Sequence, residues 1–158
     1  MASVNIGIPE KNRQQVADHL NIILSNEYVL YTKTLKFHWN VEGKWFGPLH
    51  ELFKEHYEAL LTIADDVAER VRALGHESFG TLSEFSKHTT LKEQPGKSPN
   101  DTGMIKNLLE DHETIIKHIR DDIHFTAEQK DEGTSNFLQD LIVKHEKMAW
   151  MLRAHLAK

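Results

Sequence analysis

The chain has 158 residues, 19 Lys and Arg against 24 Asp and Glu for a net charge of −5 at pH 7, and no cysteine. That length suits a single domain, 1–158, around one core, and 39% apolar with 27% charged residues excludes a disordered chain. The missing cysteine excludes disulfides, thiolate-held zinc and cysteine nucleophiles, and the acidic balance argues against a broadly basic nucleic-acid face. The opening Met1-Ala2-Ser3-Val4-Asn5-Ile6-Gly7 has neither a basic region nor an apolar run, so no signal peptide is expected. Residues 1–10 read as a flexible N-terminal segment. No apolar run approaches the roughly 20 residues of a membrane span, and a cytoplasmic protein is the expectation.

Apolar residues recur at helical spacing in four blocks. The first carries Val16, Leu20, Leu24, Tyr28, Tyr31, Leu35 and His38. The second carries Leu49, Phe53, Tyr57, Leu60, Ala64, Val67, Val71 and Leu74, with Pro48 suited to its first turn and Gly75 to a left-handed C-terminal cap. About twenty residues, 76–97, then intervene; within them Thr81–Lys87 suits a short extra helix. The third block carries Ile105, Leu108, His112, Ile115, Ile119 and Ile123, after a start signal of Ser98 as N-cap, Pro99 at the first helical position and Asp101 behind it. A break at Glu132-Gly133-Thr134 leads to the fourth, with Leu138, Leu141, His145, Met148, Leu152 and Leu156. Two hairpins joined by one long crossover make an all-α, ferritin-like four-helix bundle with a short helix in the crossover.

A di-iron centre inside such a bundle needs Glu-x-x-His on two helices, and no Glu here has His three residues later. If this bundle oxidises iron, the site must be elsewhere. His50 follows His38 by twelve residues, and Asp65 and Glu69 form an i, i+4 pair beginning fifteen residues after His50. Imidazoles with carboxylates suit iron. One helix cannot gather them, however, because fifteen residues at 1.5 Å each separate His50 from Asp65 by about 22 Å. Either the four are unrelated, or a second copy running antiparallel across a two-fold axis brings its Asp65 and Glu69 to the first copy's histidines. Taken alone, an acidic i, i+4 pair is more often a solvated face, and His38 near a helix end also suits a dipole-facing cap.

Three stretches carry a resemblance. Phe37-His38-Trp39-Asn40-Val41-Glu42-Gly43, Leu49-His50-Glu51-Leu52-Phe53, and Asp65-Asp66-Val67-Ala68-Glu69-Arg70-Val71-Arg72-Ala73-Leu74-Gly75 resemble the Dps family, the mini-ferritins named as DNA-binding proteins from starved cells. Ala149-Trp150-Met151-Leu152 resembles its last helix. The resemblance implies a hollow twelve-subunit shell with a ferroxidase site at each two-fold interface. His38 and His50 would come from one subunit, and Asp65 and Glu69 from its partner. It implies oxidation of Fe(II) with hydrogen peroxide or oxygen, storage of ferric oxide inside, and protection of the cell and its DNA from oxidative damage. Trp39 would lie beside the iron as an electron donor or radical trap, or else anchor the dimer interface.

Lys54 departs from the pattern. The family often has an acidic residue one turn after the second histidine, and an ammonium has no lone pair for a metal, so a second iron is expected to bind more weakly. Glu51 and Glu55 lie at a different helix phase, and Asp66 faces about 100° away from Asp65. Glu128, Asp131, Glu132 and Asp140 are candidates for a pore that funnels Fe(II), with a solvated helix junction as the plainer reading. His112 and His145 fall on apolar stripes and read as core or interface histidines with satisfied hydrogen bonds. The alternative function is a DNA-compacting nucleoid protein. Family members that bind DNA directly often use a lysine-rich tail, whereas residues 1–13 hold only Lys11 and Arg13, so DNA binding is expected to be weak.

Overall fold

The computed structural model describes residues 4–157. Five helices follow in order: α1 (Glu10–Asn40), α2 (Phe46–Ala73), α3 (Leu82–His88), α4 (Asp101–Glu128) and α5 (Glu132–Ala154). No strand occurs among the described residues. The α1–α2 and α4–α5 pairs are the two hairpins, and residues 74–100 cross between them with α3 on the way. Each long helix buries one stripe: Leu20, Leu24 and Phe37 from α1, Phe53, Leu60 and Val67 from α2, Leu108, Ile115 and Ile119 from α4, and Leu138 and Leu152 from α5. Full burial of such a side chain stabilises by about 1.5–3 kcal/mol. Lys33 on α1 and Asp111 on α4 join the hairpins by a buried ion pair, Nζ to Oδ2 at 2.6 Å. Desolvation of Asp111 raises its pKa, and the Lys33 hydrogen bond pulls it back.

Helix ends follow local chemistry. Gly75 has φ +89° just past the end of α2, the left-handed cap that its position predicts. Thr81 caps α3 with a full capping box, its hydroxyl accepting from the Glu84 amide while Glu84 accepts from the Thr81 amide. Two expected boundaries move. Asn100, not Ser98, caps α4: its side chain accepts from the Gly103 amide at 2.9 Å, so Pro99 lies outside the helix. The break before α5 falls at residues 129–131, with Lys130 at φ 64°, and Gly133 lies inside the first turn of α5. Gly133 serves packing there, since a Cβ would sit 3.1 Å from Arg70 Nη2. The segment expected to be flexible, 1–10, begins outside the described residues. Within its described part, Val4 and Ile8 carbonyls accept from the Arg13 guanidinium.

Candidate metal centre

The last turn of α1 and the first turns of α2 bring His38 and His50 together. Their rings stack with centroids 3.8 Å apart. His38 Nδ1 lies 2.7 Å from the carbonyl oxygen of His50, and His50 Nδ1 lies 2.9 Å from the carbonyl oxygen of His38. A carbonyl only accepts, so both Nδ1 atoms carry the proton, and both Nε2 atoms keep a lone pair. This is the tautomer that metal-ligating histidines adopt when a backbone oxygen holds the other nitrogen. The short link 41–45 is what allows the exchange, because it turns α2 back beside the end of α1. Tyr57 closes one side, its ring edge-on to His38 at 5.2 Å, and Phe46 lies 5.0 Å from His50.

Asp65 and Glu69 are exposed and share one face of α2 with the exposed Leu61, at i, i+4 and i+8. Because His50 and Asp65 are both on the continuous helix α2, about 22 Å of helix separates them. Among the described residues no three His, Asp or Glu side chains converge to hold a metal. A single chain therefore presents the two imidazoles and the two carboxylates as separate halves. Trp39, next in sequence to His38, is 68% exposed, and Trp45 and Phe46 are exposed as well. Lys54, one turn after His50, is exposed, as are Glu51 and Glu55.

Asp131 proves to be no solvated pore residue. It is buried, accepts from the Thr134 amide as the N-cap of α5, and pairs with Arg70 Nη2 at 2.9 Å. Its carboxylate is committed to joining the α4–α5 turn to α2. Glu128, Glu132 and Asp140 are exposed. His112 and His145 are in the core as their stripes indicate, but only His145 has both nitrogens bonded; His112 Nε2 has no partner. Two further buried groups escape a stripe count, Glu27 and His56. Helical phase is the signal that finds them. Glu27 falls between Leu20–Leu24 and Tyr31, and His56 between Leu52 and Leu60–Ile63.

Residues 17–158 match the ferritin-like domain family. The chain is 43% identical to a low temperature-induced protein of Nostoc sp., over 99% of this chain and 88% of that one. It is 35% identical to the DNA protection during starvation protein of Helicobacter pylori, over 90% and 97%. Its fold is similar to the crystal structure of the Dps protein of Vibrio cholerae, described as one of the ferritin-like diiron-carboxylate proteins. The TM-score there is 0.93 at 34% identity, covering 99% of this chain and 98% of that one. A four-helix bundle with one long crossover, matched over nearly its whole length by these proteins, makes this chain a member of the Dps family of ferritin-like proteins.

Proposed function

We propose that the protein is a ferroxidase and iron-storage subunit of a closed oligomer that oxidises Fe(II) with hydrogen peroxide or oxygen. Its site would form across a two-fold axis, with His38 and His50 from one subunit and Asp65 and Glu69 from the other. The observation that carries this reading is the reciprocal pair of Nδ1–H···O=C bonds, which fixes two Nε2 lone pairs beside one another at the end of a hairpin.

Fe(II) is the substrate. The imidazoles bind it as borderline nitrogen donors, and the carboxylates favour the ferric product because hard oxygen anions stabilise the higher charge. Hydrogen peroxide accepts two electrons, one from each of two Fe(II), and with two protons leaves as two waters. Ferric ion then hydrolyses and is stored as oxide in the shell. Removing both reagents of hydroxyl-radical chemistry protects the cell and its DNA. Lys54 cannot donate a lone pair, so the second iron is held more weakly than the first.

Two variants test the shared site: His38→Ala with His50→Ala, and Asp65→Ala with Glu69→Ala. Each alone should assemble and lose rapid Fe(II) oxidation. After unfolding and co-assembly in equal amounts, about a quarter of all sites should carry all four ligands, because half of the two-fold pairs are mixed and each mixed pair has one complete site. Verified mixing with no regained oxidation at all sinks the inter-subunit site.

A further inference from the structure

A second group of ligating side chains lies in the middle of the bundle, far from the His38–His50 pair in function and built from all four long helices. Glu27 of α1, His112 of α4 and His145 of α5 are fully buried, and His56 of α2 is 3% exposed. Glu27 Oε1 lies 2.8 Å from His145 Nε2, and His145 Nδ1 lies 3.0 Å from His112 Nδ1. A carboxylate only accepts, so His145 Nε2 donates to Glu27; with His145 Nδ1 as the acceptor of the next bond, His112 donates from its Nδ1. The relay ends on a bare lone pair at His112 Nε2, and that atom has no hydrogen-bond partner. Beside it stands His56, its ring edge-on at 5.9 Å between centroids, with both nitrogens also buried and unpartnered. Burial of unsatisfied nitrogens is costly, so such a pair favours a ligand that both rings can bind.

We propose that His56 and His112 bind a transition-metal ion of the zinc class inside the bundle, with His145 and Glu27 orienting and charging His112 from behind. An ion about 2.0–2.1 Å from an imidazole nitrogen is about 3.2 Å from the ring centre, so two rings sharing it lie roughly 5–6 Å apart. The observed 5.9 Å fits. Both rings are neutral and ready to ligate at pH 7: burial drives His56 down to about 4 and His112 well below its ordinary value. The Glu27–His145–His112 series is the carboxylate-to-imidazole backing that raises ligand basicity, extended by one ring. Its carboxylate also supplies negative charge to offset a buried cation. Among the described residues no third His, Asp or Glu converges there, so water would complete the coordination. A groove of about 360 Å³ between α2 and α5, lined by His56, Glu55, Lys144 and Met148 among others, reaches His56 from solvent. Imidazole donors select zinc-class ions over magnesium.

The test uses the assembled protein carrying His38→Ala and His50→Ala, so that the surface pair does not compete. Crystals soaked in zinc chloride and measured on both sides of the zinc absorption edge should show an anomalous peak between His56 and His112, within about 2.3 Å of a nitrogen of each. Calorimetry should show one zinc per chain that is lost on His56→Phe, retained on His124→Ala at an exposed histidine, and not displaced by excess magnesium. A peak-free density between the rings means ordered water only and overturns the proposal. The crystal experiment needs no core variant, so a failure of His56→Phe to fold leaves the outcome decided. Zinc found between the rings supports this site whether or not the His38–His50 pair oxidises iron.

Discussion

His56 carries a consequence for acid stability as well as for ligation. Burial, with smaller contributions from His155 and His145, lowers its pKa from 6.5 to about 4. Below pH 6.5 the unfolded chain takes up a proton that the folded chain refuses, so stability falls as pH drops through this window. The loss from His56 alone reaches about 3 kcal/mol near pH 4. His112 acts in the same direction. His19 acts oppositely: its hydrogen bond to Asp122 raises its pKa, so its contribution is present below pH 6.5 and fades as pH rises through the folded value. Unfolding midpoints of metal-free protein between pH 7 and 4.5 should fall steeply, and His56→Leu should flatten the slope. An unchanged slope in that variant would remove His56 as the cause. At this scale the sequence is only partly legible. His38, His50, Asp65 and Glu69 stand out by type and spacing, whereas a lone Glu27 on α1 reads as surface until its helical phase is counted against Leu24 and Tyr31. Counting the α2 stripe through Tyr57 likewise picks the half-buried neighbour of the residue that is buried, His56.

Helices announce themselves by their apolar period, and all four long elements and the short α3 are where the pattern puts them. Ends are harder, because competing signals sit side by side. Ser98-Pro99 and Asn100-Asp101 both spell a helix start, and only the fold decides which side chain reaches a free amide. Asn100→Ala should therefore cost about 1 kcal/mol. Ser98→Ala should be neutral or slightly stabilising, because the Ser98 hydroxyl is buried without a partner. Chemical denaturation of the two variants checks the assignment, and a larger loss at Ser98 would reverse it. Gly133 misleads for a related reason. Glycine usually marks a break, but here it makes room for Arg70 to reach Asp131. Nothing in a run of acidic residues foretells that one of them, Asp131, turns inward.

At the scale of the whole molecule, a single chain leaves Trp39, Leu61, Leu82, Val143 and Trp150 on its surface. By the proposal above, neighbouring subunits would cover such groups. None of the helices among the described residues is long and apolar enough to cross a membrane. Light scattering should find a closed oligomer of 18.3 kDa chains, as the proposal above requires. Leu61→Glu, on the face of Asp65 and Glu69, should shift it toward smaller species. A wild-type protein that is monomeric yet rapidly oxidises Fe(II) would end both the shell and the split site. The sequence shows that His50 and Asp65 are too far apart on one helix to share an ion; how two copies would meet is a property of surfaces, which linear spacing does not encode. One further consequence follows from the crossed backbone bonds of His38 and His50. Each ring is anchored by the other residue's main-chain carbonyl, so a substitution of one side chain leaves the neighbour's anchor in place. The imidazole half has already given up its rotational freedom before any cation arrives, whereas the exposed Asp65 and Glu69 have not. Capture should therefore be quick on the histidine side, and the slower event should be the closing of the carboxylates around a guest already seated.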